Sequence, residues 1–216
     1  MSKNTFLKDL KSAKISIRLC IIIFISFFVL KFLPINKIVE LFAVSSESTL
    51  SLTGFYQIFT YWVLAIGDLI SLISLCITMV LAGYIVEKFL SQKDVLILMG
   101  GTIILGGFLF AYLNSYSIIM TGPTIISWGL AGSAILIVFR TWSDSTKAAK
   151  IIVGIFVIGA FFQFYDLMFG NLQAKAATYI LCGIFAAIYT FYNMRHKANW
   201  SEITKSETIS GGIQQL

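Results

Sequence analysis

Midway along the chain lies an apolar run too short for the job its composition suggests. It opens at Ser127-Trp128-Gly129-Leu130-Ala131-Gly132-Ser133-Ala134 and stops at Arg140. Crossing ~30 Å of hydrocarbon at 1.5 Å per residue takes roughly 20 residues. A helix over this run therefore has to begin partway into a membrane. The stretch before it, Asn114 to Ile126, contains Gly122 and Pro123, and non-helical backbone at that depth has to be wrapped by protein or water. With Gly129, Ala131, Gly132 and Ala134 at its start, this helix lets neighbours approach its backbone and belongs at the centre of a bundle.

The remaining composition agrees. Of 216 residues, 58% are apolar and 12% charged, against about 25% charged in soluble domains. The chain reads as an integral, all-α membrane protein. Its net charge of +6 is explained by where the basic residues lie, so nucleic acid is not an expected partner. Lys3, Lys8, Lys11, Lys14 and Arg18 precede an apolar stretch in the manner of a signal peptide. That stretch is long, and no small-x-small cleavage site follows it, which predicts a retained span. Cys20, Cys76 and Cys182 sit in apolar runs without metal-ligand spacing and read as core fillers, and no metal or cofactor is expected.

Three regions follow: residues 1–14 as a basic amphipathic segment, 15–194 as a six-span membrane domain, and 195–216 as a mobile polar tail. Phe6, Leu10 and Ala13 share one face of the first segment, as in a helix lying on an anionic bilayer. Span one covers Ile15 to Phe32. Residues 35–58 are too apolar for a free linker and too interrupted to cross, which predicts a half-embedded loop. Span two covers Gly67 to Phe89. Its Ser71, Ser74 and Thr78 make one face weakly polar, and that face is expected to point into the bundle. Span three, Val95 to Leu113, carries Gly100, Gly101, Gly106 and Gly107 for close packing. Span four ends at Arg140, span five covers Ile151 to Phe169, and span six covers Ala174 to Met194. Six spans place both termini on one side, together with every Lys and Arg except Lys31, Lys37 and Lys175. The positive-inside rule makes that side cytoplasmic, in a cell (inner) membrane.

A six-span bundle with a half-embedded first loop and a short fourth helix opening on Gly-x-x-Gly resembles the rhomboid family of intramembrane serine proteases. In that family the fourth helix opens with Gly-x-Ser-Gly, its serine being the nucleophile; here the frame reads Gly129-Leu130-Ala131-Gly132. The family's second span is introduced by Thr-Tyr-x-Phe-Leu-His, and this chain has Thr60-Tyr61-Trp62-Val63-Leu64-Ala65. Ile70 and Ser74 then fall at the family's His and Asn spacings, followed by Gly83 and Glu87. The sixth span's Ala-His-x-x-Gly-x-x-x-Gly is matched by Tyr179 through Ala187, with Ile180 at the base position and Gly183 and Ala187 at the packing positions. The frames are kept while the reactive residues are not.

Hydrolysis through a serine needs an oxygen nucleophile, a base within reach and oxyanion donors. Ala131 supplies no oxygen and Ile180 no exchangeable proton, and Ala65, Ile70 and Ser74 stand at the former oxyanion side. His196, the one histidine, lies 16 residues beyond Ile180, about 24 Å along a helix. Ser127 and Ser133 flank the lost nucleophile without a lysine at that depth. The resemblance thus implies a pseudoprotease that binds another membrane protein's helix as a chaperone, retention factor or assembly subunit, with apolar residues at 70, 131 and 180 stabilising the core. Two other classes fit the composition, a small transporter or channel and a structural subunit of a membrane complex. A transporter would carry deep ionisable residues and paired broken helices, whereas Asp68, Glu87 and Asp166 lie near span ends. No small-molecule substrate is evident.

Overall fold

The computed structural model describes residues 13–45, 51, 54–113, 119–170 and 173–213, with side chains through 195. The basic segment expected over 1–14 thus lies almost wholly outside the described residues. The described residues are mostly helical: α1 (Lys14–Lys31), α2 (Ile35–Phe42), α3 (Gln57–Thr60, running on as a 3-10 turn over Tyr61–Val63), α4 (Leu69–Phe89), α5 (Gln92–Leu113), α6 (Thr124–Arg140), α7 (Lys147–Phe169) and α8 (Gln173–Ile213). Two expectations change. The tail after Met194 continues α8 as helix instead of leaving it, and α6 begins at Thr124, because Pro123 takes the N-cap position and its carbonyl accepts from the amides of Ile126 and Ser127.

Among the described residues, four helices are long and apolar enough to cross a membrane: α4, α5, α7 and the Gln173–Arg195 part of α8. Lys14, Arg18 and Lys31 put three charges into the 18 residues of α1, whereas each of these four offers an 18-residue window with no more than 2. At 17 residues, α6 spans only about 26 Å. Large apolar side chains such as Phe161 and Phe162 are left uncovered on the outer faces, as expected where lipid is the solvent. Most of the described basic residues gather at one end, Lys31, Lys37 and Lys175 excepted. The start of α1 meets Glu87 at the end of α4, Lys88 and Lys93 flank the α4–α5 connection, Arg140 lies over the Phe191 ring at 4.8 Å, and Lys147 and Lys150 open α7.

Central α6 packs against α4, α5, α7 and α8, and glycine spacing explains how closely. A Cβ on Gly132 would run into the backbone of Gly183, so α6 and α8 touch main chain to main chain. On the next face, a Cβ on Gly129 would meet Thr102 Cγ2 at 2.5 Å, placing α5 there. The glycines of α5 divide the same work. Gly101 faces Phe185, Gly106 faces Ile125 and Tyr61, Gly107 faces Ile58, and Gly100 has open space. Below Gly132 the α6–α8 seam is polar. Ser133 donates to the Ala186 carbonyl at 3.1 Å and Thr190 donates to Ser133 at 2.9 Å, all fully buried. Internal pairing of this kind is what a hydroxyl in hydrocarbon needs.

The loop region folds onto α5 and the entrance of α6. Buried Tyr61 donates to the Ile103 carbonyl at 3.0 Å, and its own carbonyl accepts from Gly122. Gly122 has φ +88, where a side chain would be strained, and its Cβ position lies 3.3 Å from the Leu64 carbonyl. Val44 and Met120 exchange both backbone hydrogen bonds. By contrast, α2 buries no residue.

Helix ends are closed by carboxylates. Ser91 and Asp94 cap each other at the start of α5. Asp68 caps α4, accepting from the Ser71 amide at 2.7 Å and the Ser71 hydroxyl at 2.8 Å. These bonds, the amide's first, hold its carboxyl below the ordinary value of 3.8. A carboxyl lowered on folding contributes stability above its unfolded value and loses it as pH falls through the folded one. Protection of the Ser71 amide against exchange is therefore expected to fall once pH drops below about 4, and Asp68→Ala, which removes the acceptor, should show the low protection already at pH 7.

Candidate functional site

Between α4, α6 and α7 lies a laterally open groove of about 570 Å³. Ile70, Ser71, Ser74, Leu75 and Thr78 of α4 form one wall. Ile155, Phe156 and Gly159 of α7 form the other, with Thr124, Ser127, Trp128 and Ala131 of α6 at the back. A second cavity of about 410 Å³ continues it along α4 and α7 toward Leu81 and Ile152.

The groove exists because α7 is anchored at one end only. Its buried residues, Ala149, Ile152, Val153 and Phe156, all fall in its first half, and none falls between Val157 and Phe169. The outer half presents Phe161, Phe162, Tyr165 and Phe169 away from the bundle. Where α7 does approach, a Cβ on Gly159 would touch the Trp128 ring at 3.4 Å. On the other side Trp128 stacks on Tyr179 of α8, with centroids 6.4 Å apart. One indole thus ties α6 to both neighbours.

The positions singled out from sequence divide into three groups. Ala131 is 3% exposed and lies at the back of the groove. Ser74 and Ile70 line it from α4. Ile70 departs from expectation: it is 81% exposed and fills no core, because nothing covers the first turn of α4 where α7 has diverged. The polar face of α4 likewise borders an open groove instead of the bundle interior. The second group is structural. Gly132 and Gly183 make the α6–α8 contact, Gly129 faces α5, and Ala187 is half-buried one turn past Gly183. The third stands apart from the groove. Ile180 is half-buried on α8, where its neighbour Tyr179 meets α6, and Ala65 is buried in the loop beside Phe27 and Gly67.

Chemically the groove is a hydroxyl-bearing apolar cleft. Ser127 donates to the Thr124 carbonyl at 2.7 Å and Ser133 to Ala186, so both serines beside Ala131 spend their protons on backbone oxygens. Among the described residues, no three His, Cys, Asp or Glu side chains are placed to share a metal. The side chain of His196 lies outside the described residues. Cys20 and Cys182 each point their thiol at a backbone carbonyl of a neighbouring helix, at 3.6 and 3.7 Å. Two features had no sequence reading: the Trp128–Tyr179 stack and the contact of Glu87 with α1. The Gly83-x-x-x-Glu87 spacing held a trace of the second, since a Cβ on Gly83 would strike Ser16, whose hydroxyl donates to Glu87.

No protein-family model matches the chain, and none of the curated proteins matches it.

Proposed function

We propose that this chain is a non-catalytic, rhomboid-like membrane protein whose groove between α4 and α7 holds a transmembrane segment of another integral membrane protein. One observation carries the reading: the cleft opens sideways, toward where lipid would be, with Ala131 rather than an oxygen nucleophile at its back. Further support comes from α6, which is short, central and backed by main-chain contact with α8 through Gly132 and Gly183. In this reading α1, α4, α5, α6, α7 and α8 are the six spans, and α2 and α3 form the half-embedded loop. The basic end is cytoplasmic by the positive-inside rule. Without a hydroxyl at 131 or an imidazole at 180, the assembly binds and does not cleave.

The test is photo-crosslinking in native membranes. A benzophenone side chain at Ile155, on the groove wall, should give discrete adducts with integral membrane proteins. The same group at Ile97, on the outer face of α5, should give none of those species. Identical adduct patterns from the two sites would overturn the groove as a binding site.

A further inference from the structure

Where α6 hands over to α7, through residues 141–146, positive charge and uncovered aromatic surface lie side by side. Phe139 and Trp142 stack with ring centroids 5.9 Å apart, and they are 60% and 50% exposed. Lys150 lays its ammonium over the same indole, 4.8 Å from the centroid. Lys147, one turn earlier on α7, is exposed, and Arg140 closes α6. Asp144 is the single acid between Phe139 and Lys150. Among the described residues no carboxylate forms an ion pair with Arg140, Lys147 or Lys150, and a ring beneath an ammonium does not neutralise it.

We propose that this turn binds an anionic phospholipid from the leaflet at the basic end, its phosphate held by Lys147 and Lys150 and its acyl chain lying against Phe139 and Trp142. The inference does not depend on what the groove between α4 and α7 holds. Two requirements select the ligand: the cations need an anion, and the rings need an apolar neighbour. At the end of a membrane-crossing helix, Trp and Lys stand at the level of the lipid headgroups, where both are on offer. A free phosphate would answer the charge and leave the rings uncovered. A zwitterionic lipid would cover the rings but bring a cation of its own toward the lysines. A lipid whose headgroup is a net anion meets both requirements in one molecule. Arg140, drawn to Phe191 on α8, adds to the positive field.

The test is native mass spectrometry of the purified full chain in dodecyl maltoside, titrated with phosphatidylglycerol or with phosphatidylcholine of the same chains. Glycerol phosphate, which has the anion and no chains, serves as competitor. Phosphatidylglycerol should bind about fivefold tighter than phosphatidylcholine, or more, and glycerol phosphate should not displace it. Lys147→Gln and Lys150→Gln should each weaken phosphatidylglycerol binding about fivefold, the equivalent of about 1 kcal/mol for one basic residue at an anionic surface. Lys88→Gln combined with Lys93→Gln removes charge at the same end, beside the α4–α5 connection, and should leave binding unchanged. Equal affinity for the two lipids, or binding that survives both the Lys147 and Lys150 substitutions, would overturn the proposal. A loss as large in the Lys88 and Lys93 variant would show attraction by overall charge and no site at the turn. Displacement by glycerol phosphate would make the turn a site for soluble anions and overturn the lipid assignment.

Discussion

Gly132→Val is expected to lower the thermal unfolding midpoint of the detergent-solubilised protein by about 6–12 °C, while Gly100→Val leaves it nearly unchanged. Both are glycines inside apolar helices, so propensity and composition treat them alike. Their surroundings differ. A Cβ at 132 would enter the backbone of Gly183, which cannot rotate aside, whereas a Cβ at 100 meets nothing within 4 Å. Forcing extra carbons into a close-packed seam costs about 1–3 kcal/mol and occasionally more. At the upper end, about 3 kcal/mol corresponds to the stated shift for a chain of this length, at about 2–4 °C per kcal/mol. The damage should also spread, since separating α6 from α8 pulls Ser133 away from Ala186 and Thr190 and exposes three polar groups to hydrocarbon. Equal midpoints for the two variants would mean that the α6–α8 contact is wrongly placed.

The second large effect concerns Glu87. Its two carboxylate oxygens accept from the Ile15 amide at 2.9 Å, the Ser16 amide at 2.8 Å and the Ser16 hydroxyl at 2.7 Å. The N-terminus of α1 has no side-chain cap of its own, so a residue more than seventy positions away closes it. Ile15 and Ser16 are buried there, leaving water little access to those donors if the carboxylate is removed. Each buried donor left unsatisfied costs about 1–3 kcal/mol, so Glu87→Ala is expected to destabilise by about 3 kcal/mol or more. Glu87→Gln keeps one acceptor oxygen and should lose less. Hydrogen exchange separates this from general unfolding: amides of residues 14–20 should exchange faster in Glu87→Ala while those at the α6–α8 seam stay protected. Uniform loss of protection, or none, would show that Glu87 does not hold α1.

Reading the chain as a string located the helices well and the contacts poorly. Helix boundaries follow from apolar runs interrupted by Pro34, Gly67, Gly122-Pro123 and Gly170-Asn171, because a helix in hydrocarbon must satisfy its backbone within itself and breaks only where something else can do so. The central place of α6 was legible for the same reason. A short, small-residue helix has no other stable position. The behaviour of the outer half of α7 was not legible. Ile151 to Phe169 is apolar on every face, so hydropathy cannot say whether a side chain meets protein or lipid, and the uncovered Ile70 is one consequence. The continuation of α8 past Arg195 was missed likewise, since its polar residues read as a tail when only apolarity is scored.

Residue order alone therefore determined that this chain builds helices suited to a membrane, where most of them begin and end, and that residues 131 and 180 hold no catalytic group. Those properties depend on local composition and on the fixed rise of a helix. Tertiary structure decided that Gly132 meets Gly183, that Glu87 closes α1, and that a cleft stands open between α4 and α7. In hydrocarbon, an apolar side chain gains almost as much from lipid as from protein. Only the close approach of backbones and the pairing of a few polar atoms select one arrangement, and both are relations between residues distant in sequence.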